Sequence, residues 1–297
     1  IAANIPDVDA FVYLGSDSAF AVSFRRGWTH GLPALMAWTI LLAAGFAWWS
    51  RVKPTASPAG GAHGALTARD FALLAAVAVV SHPLLDLMNT YGVRLLMPFS
   101  DRWFYGDTLF IVDPPLLVLL GIGAFVSSRA LRAAKPWAER PARIALAVAI
   151  AYVATMKAMS VATEQLVVRE LAVTSPSART VMVAPRPLSM LSREVVVSQG
   201  GRYDRMIADW TGLAPSLSKT SRWSGPTGAD SSTVASVRST NRGALFLRWS
   251  RFPYFIVGTG ANVGTIFVGD TRYSSGEEES WAGVRVRPNA QEVSASR

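Results

Sequence analysis

Four long apolar runs dominate the first half of the chain. Residues 32–49 (LPALMAWTILLAAGFAWW) carry no charge, and their length approaches the ~20 residues that a helix needs to cross a bilayer. Residues 70–88 (DFALLAAVAVVSHPLLDLM) form a second run, interrupted near its end by Ser81, His82, Pro83 and Asp86. Residues 110–128 form a third, and residues 142–160 a fourth that carries Lys157 near its end. Residues 1–5 read as the tail of an earlier, truncated span, since the chain opens at Ile1 without Met. The alternative, helices of a soluble core, must hide four apolar runs joined by basic linkers in one small domain.

From about residue 161 the pattern changes to short β-rich segments separated by turn residues. They are QLVVRELAV (165–173), RTVMVA (179–184), EVVVS (194–198), ALFLRWS (244–250), PYFIVG (253–258), GTIFVGD (264–270) and AGVRVR (282–287). The stretch 214–242, rich in Ser, Thr and Gly, reads as a long loop. The expected fold is an α-helical integral membrane domain, residues 1–160, followed by a β-rich extramembrane domain, residues 161–297.

Composition sharpens this reading. Of 297 residues, 51% are hydrophobic and 16% charged, against about 25% charged in ordinary soluble domains. Mean hydropathy is +0.28. There is no cysteine, which excludes disulfides, thiolate metal sites and cysteine nucleophiles. The net charge of +9 is uneven. Residues 51–69 and 129–143 hold Arg51, Lys53, Arg69, Arg129, Arg132, Lys135, Arg140 and Arg143, whereas Arg25, Arg26, Arg94 and Arg102 flank the other span ends. Eight against four places the two linkers in the cytoplasm. The C-terminal domain then emerges outside, in the periplasm of a two-membrane bacterium. The segment 161–297 has 16 basic and 11 acidic residues without a basic cluster, which argues against nucleic-acid binding.

Ionisable groups at membrane depth are costly and mark function. Asp7 and Asp9 precede the run at 32–49, His30 opens it, His82 and Asp86 close the second, and Asp113 opens the third. Alternating span direction brings all of them to one membrane face. His82 and Asp86, spaced i, i+4, share a helix face. Imidazole with carboxylate suits Zn²⁺, Mn²⁺ or Fe²⁺. Structural alternatives stand beside this reading. Asp113 before Pro114-Pro115 is a good helix N-cap. Asp7 and Asp9 fit solvated turns, His30 a helix-capping interfacial residue, and His82 with Asp86 a metal-free hydrogen bond. His63 fits a solvated loop on the opposite side. Arg94 and Arg102 are either interfacial anchors or ligands of an anionic substrate.

At these residues the sequence resembles the LexA-binding, inner-membrane-associated metal-dependent hydrolase family. The matching phrases are NIPDVDAF (4–11), FRRGWTHG (24–31) and SHPLLDLMNTYGVRLLMPFSDRWFYGDTLFIVDP (81–114), and the resemblance covers roughly residues 1–160. It implies a metal site built from Asp7, Asp9, His30, His82 and Asp86, with Asp113 as a further member. Where many relatives have a His before R-G-x-T-H, this chain has Arg25. The family also starts with a T-H segment that would precede Ile1.

Together these observations predict a membrane-bound hydrolase with a divalent ion, zinc first and manganese or iron next. Asp9, His30, His82 and Asp86 are assigned as metal ligands. Asp7 or Asp113 acts as general base, and Arg94 and Arg102 hold a phosphoester or lipid-linked substrate. The alternative is a non-enzymatic scaffold whose β-rich domain binds a protein partner. A transporter is disfavoured, because the polar residues sit at span ends rather than at their centres.

Overall fold

The computed structural model describes residues 2–52, 67–174, 180–199, 202–221, 231–273 and 281–288. His63 and Lys53 lie outside the described residues. The chain forms two compact units, residues 1–105 and 106–297.

The first unit opens with 3-10 helix at Ala2–Asn4 and Pro6–Leu14, then a short helix α1 (Ser18–Phe24). Two long helices follow, α2 (Leu32–Val52) and α3 (Ala68–Leu87). The Asp17 carboxylate caps α1 by accepting from Ala19 N at 2.9 Å. Thr67 and Asp70 cap α3 reciprocally, side chain to backbone in both directions, which satisfies two otherwise orphaned amides. Helices α2 and α3 pack on each other, and Phe46 near the end of α2 stacks on Phe71 near the start of α3. The pair is therefore antiparallel.

The second unit carries α4 (Pro114–Arg132) and α5 (Arg140–Thr174), then strands β1 (Thr180–Pro185), β2 (Ser192–Gln199), β3 (Arg202–Asp209) and β4 (Ser216–Ser221). Helices α6 (Ser231–Arg238) and α7 (Asn241–Trp249) come next, then strands β5 (Pro253–Val257), β6 (Ile266–Asp270) and β7 (Gly283–Val286). Four helices, α2 to α5, are long and apolar enough to cross a membrane. They expose large apolar side chains on their outer faces, among them Met36, Ile40, Leu73, Val77, Leu117, Ile122, Ile144 and Ile150. Helices of a soluble core would bury these groups. Lipid, in which helical backbone is the satisfied state, accepts them. The chain is thus a helical membrane protein followed by a β-rich domain.

The β-rich part is layered. Strands β1 to β4 form an antiparallel meander, and β5 to β7 a second antiparallel sheet. One face of the meander presents Val183, Val195, Val197, Met206 and Ala208 to Val167 and Leu171 of α5. The other face presents Met182, Ala184, Val196 and Tyr203 to Phe252, Tyr254 and Phe267. The unbroken apolar run Val195-Val196-Val197 follows from this two-sided burial, since consecutive strand residues point to opposite faces.

Two segments expected as strands are helical. Residues 165–173 continue α5, because nothing after Pro141 breaks the helix. Ser160, Thr163 and Val167 are buried at the three-and-four spacing of a helix face. Residues 244–250 belong to α7, where the Thr240 hydroxyl caps the start by accepting from Gly243 N. Phe246 and Trp249, one turn apart, are fully buried. The stretch 214–242 contains β4 and α6 instead of being loop throughout, and its residues 222–230 lie outside the described residues. Strand β3 was not expected at all. Its residues alternate, Tyr203 to one face and Met206 and Ala208 to the other, but Asp204, Arg205 and Asp209 break up the apolar run by which the other strands stand out.

Helices α4 and α5 approach closely at Gly123. A Cβ there would strike the Ala145 methyl, which is the small-residue contact by which membrane helices associate. Gly123→Val should cost about 1–3 kcal/mol by overpacking, read as a lower thermal unfolding midpoint of the detergent-solubilised chain.

Candidate functional site

The phrase FRRGWTHG folds as a tight, buried segment between α1 and α2 in the first unit. Arg26 has a left-handed backbone (φ 53°), a conformation that non-glycine residues adopt only where surrounding contacts hold it. Here the contacts are numerous. The Arg26 amide donates to Asp9 Oδ2 at 2.8 Å. Its guanidinium donates to Asn89 Oδ1 at 2.9 Å, pairs with Asp86 Oδ1 at 2.9 Å and lies over the Tyr91 ring. The loop after α3 returns across this segment, with Arg94 N donating to Arg26 O and Leu32 N to Leu95 O. Gly31 is required there, because a Cβ would collide with the Met97 carbonyl. His30 is thereby fixed with its side chain fully buried.

Around His30 the structure gathers Asp7, His82 and Asp86. One donor atom from each of the four lies within 4.8 Å of the others. His30 Nε2 is 3.2 Å from Asp86 Oδ2, and His82 Nε2 is 3.5 Å from both Asp86 Oδ2 and Asp7 Oδ2. Two ligands of one tetrahedral zinc, with bonds of about 2.1 Å, stand roughly 3.4 Å apart. His30 Nε2, His82 Nε2 and Asp86 Oδ2 are all buried, and none has a hydrogen-bond partner among the described residues. Buried polar atoms are rarely left so. Two imidazole nitrogens and carboxylate oxygens in this arrangement fit Zn²⁺, Mn²⁺ or Fe²⁺.

Each carboxylate is anchored by its other oxygen. Asp86 Oδ1 faces Arg26, and Asp7 Oδ1 accepts from Arg25 Nη2 at 2.8 Å. Asp9 stands behind His30. Its Oδ2 accepts from the Thr29 hydroxyl at 2.8 Å and lies 3.4 Å from His30 Nδ1, while Thr29 Oγ1 is 2.9 Å from that same nitrogen. The Thr29 proton goes to Asp9, so Thr29 Oγ1 accepts from His30 Nδ1–H. This sets the tautomer whose Nε2 lone pair faces the cluster. Sequence reasoning grouped Asp9 with the ligands and Asp7 with the bases; in the structure Asp7 joins the four-residue group and Asp9 orients a histidine.

Electrostatics follow from these contacts. The contact with His82 holds the Asp7 carboxyl below its ordinary value, against partial burial. Burial pushes the Asp9 carboxyl up, but its bonds with His30, Thr29 and the Arg26 amide outweigh that and leave it lowered. Burial opposes charge on His30, yet Asp86 and Asp9 raise its affinity for protons above the ordinary value. Protons and a metal ion thus compete for the same Nε2 lone pair.

The remaining predicted residues have other engagements. The Asp113 carboxylate, in the second unit, caps α4 by accepting from Leu116 N at 3.1 Å and accepts from the Tyr152 hydroxyl at 3.0 Å. Arg94 is buried and donates to the Ser23 and Phe24 carbonyls, with Asp101 at 3.4 Å. Arg102 is exposed, over the Phe104 ring. Sequence reasoning missed Arg25, Arg26, Thr29 and Asn89 as parts of the site. Both arginines read in the sequence as membrane-flanking charges, with Arg25 marked only as the residue standing where many relatives have a His, although their position beside the W-T-H phrase is a usable signal.

Comparisons with known proteins agree with the membrane assignment. The Uncharacterized protein YfhP of Bacillus subtilis (strain 168) is 27% identical over 116 residues, which are 38% of this chain and 30% of that protein. The chain therefore spans less than a third of the length of this relative. No solved structure matches. The YdjM inner membrane protein family matches residues 1–162, more than half of the chain, and the chain belongs to that family.

Proposed function

We propose that the chain is a membrane-bound metal-dependent hydrolase whose ion is held by His30, His82 and Asp86. The observation that carries this reading is the convergence of three buried donor atoms without hydrogen-bond partners on one more exposed carboxylate, Asp7. Side-chain exposure separates the roles: 0% for His30, 9% for Asp86, 16% for His82 and 39% for Asp7. Two histidines and one carboxylate with an accessible position beside them is the ligand count of hydrolytic rather than purely structural sites. When bound, the ion acidifies water and polarises the scissile group.

The chain's own residues do the rest. Asp7 is ionised at neutral pH, and its Oδ2 takes the proton of the attacking water. Arg25 holds the Asp7 carboxylate in place through Oδ1. Arg26 and Asn89 hold Asp86, and the Asp9–Thr29 pair keeps His30 in its donor tautomer. His30 lies just before α2, and His82 and Asp86 lie in the last turns of α3. The site therefore sits at span ends, level with the bilayer interface, and a lipid-like or lipid-linked ester, phosphoester included, is the substrate class that reaches it. With Arg94 engaged by backbone carbonyls, recognition of an anionic group falls to other residues.

The orientation proposed is with the site and the β-rich domain on the periplasmic side. Arg25 and Arg26, basic residues on that side, are tied up in ion pairs, and Arg94 is buried. Arg51, Arg69, Arg129, Arg132, Lys135, Arg140 and Arg143 are exposed. The inside preference counts Lys and Arg near the span ends, and the two linkers carry more of them. The chain has no cysteine, so single introduced cysteines report topology directly. Ser218→Cys should react with a membrane-impermeant maleimide on intact spheroplasts and Lys135→Cys should not; the reverse pattern overturns the orientation.

Two substitutions separate holding the ion from using it. His82→Ala should abolish stoichiometric zinc in the purified full chain. Asp7→Asn should retain zinc and lose about 10²–10⁴-fold in turnover of a lipid phosphoester, the usual contribution of a general base. Asp9→Asn should weaken zinc binding about 10–100-fold. Zinc unchanged in His82→Ala contradicts the ligand assignment, and undiminished turnover in Asp7→Asn contradicts the base.

A further inference from the structure

We propose that the β1–β2 hairpin of the second unit is a phospholipid-binding loop: Leu188 and Met190 enter the bilayer interface, and the half-exposed Arg186 takes up an anionic headgroup phosphate with the buried charge of Arg193 behind it.

Arg193, at the start of β2, is fully buried. Its Nη2 donates to the Met156 carbonyl at 3.3 Å and touches the Met156 and Met159 sulfurs. Among the described residues its Nε and Nη1 have no hydrogen-bond partner, and Arg193 makes no ion pair. A desolvated guanidinium in such surroundings calls for an anion, and its planar fork matches phosphate oxygens. It lines a narrow cleft together with Asp113, Pro114, Tyr152, Leu188 and Met190. Asp113 is the acid facing this cleft, but its oxygens already accept from Leu116 N and the Tyr152 hydroxyl. Arg186, half-exposed in the same lining, adds a second positive charge.

The position of the cleft relative to the bilayer comes from the helices. Helix α4 begins at Pro114, so the apolar layer ends near that residue. The Tyr152–Asp113 hydrogen bond puts Tyr152 of α5 at the same level. Met156, which holds Arg193, is one helical turn further along, about 6 Å. Lys157, next to Met156 and near the end of the fourth apolar run, marks the membrane edge here. At this level the hairpin exposes Leu188 by 84% and Met190 by 46%. Leu188 also holds a left-handed backbone (φ 57°), an unfavourable state for a leucine. An exposed leucine in a strained turn contributes nothing to folding in water. It shares the cleft lining with Pro114 and Pro115, the first residues of α4, which places it to meet lipid.

Two measurements on the full chain test this. Leu188→Cys carrying an NBD fluorophore, in phosphatidylcholine:phosphatidylglycerol vesicles, should be quenched by headgroup-level nitroxide lipid and protected from iodide. The same label at Asp204→Cys, at the opposite end of the meander, should behave in reverse. In detergent, phosphatidylglycerol binding followed by native mass spectrometry should weaken at least fivefold in Arg193→Gln and in Arg186→Gln. If Arg193→Gln does not fold, Arg186→Gln carries the comparison. Iodide quenching at 188 equal to that at 204 overturns the proposal. So does phosphatidylglycerol affinity unchanged in Arg186→Gln. Displacement of the lipid by millimolar inorganic phosphate, with retention of phosphate alone, identifies a free-phosphate site and overturns the lipid assignment.

Discussion

The site depends on one electrostatic device, in which a carboxylate shares itself between an arginine and an empty-handed imidazole. Arg26 takes Oδ1 of Asp86 and leaves Oδ2 facing His30 and His82, and Arg25 does the same for Asp7. Without these arginines, two acids and two histidines at a membrane edge would repel or pair at random. With them, each acid is fixed in orientation and held ionised, and one oxygen of each is aimed. The charge balance is telling. Asp7, Asp9 and Asp86 face two guanidiniums, so with neutral imidazoles the cluster keeps one formal negative charge. Burial makes that excess expensive, and a bound cation relieves it.

The same device explains the unusual backbone. Arg26 must present its guanidinium to Asp86 and Asn89 and its amide to Asp9 at once, and only a left-handed turn aims both. Asn89 closes the arrangement by accepting from Arg26 Nη1 and from the amides of Tyr91 and Gly92. Three stretches of chain, near residues 7, 28 and 86, are thus tied together by polar bonds where two apolar helices end. In the second unit a single helix, α5, carries both environments. Its first half is apolar towards lipid, and its second half buries Val167 against a β-sheet.

Much of this was legible in the residues. The four spans follow directly from the length of the apolar runs. The pairing of His82 with Asp86 follows from their spacing, and the gathering of Asp7 and His30 at the same place follows from the alternation of span direction. What stayed hidden has physical reasons. Helix α5 outruns its membrane segment, so β-branched Val167 and Val168 sit in a helix whose face is chosen by the sheet it supports. Strand β3 hides because Asp204, Arg205 and Asp209 dilute its apolar residues. The division of labour between Asp7 and Asp9, two residues apart, depends on which oxygen meets which arginine, and no spacing encodes that. Arg25 and Arg26 read as membrane-flanking charge because a sequence does not reveal that a carboxylate waits 2.8 or 2.9 Å away.

The central claim is that two imidazoles and carboxylate oxygen meet on one cation. X-ray absorption at the zinc edge of the zinc-loaded, full-length chain tests it most directly. The account predicts one zinc per chain, with a shell of two imidazole nitrogens and oxygen donors at about 2.0–2.2 Å. A bound zinc without imidazole scattering would contradict it.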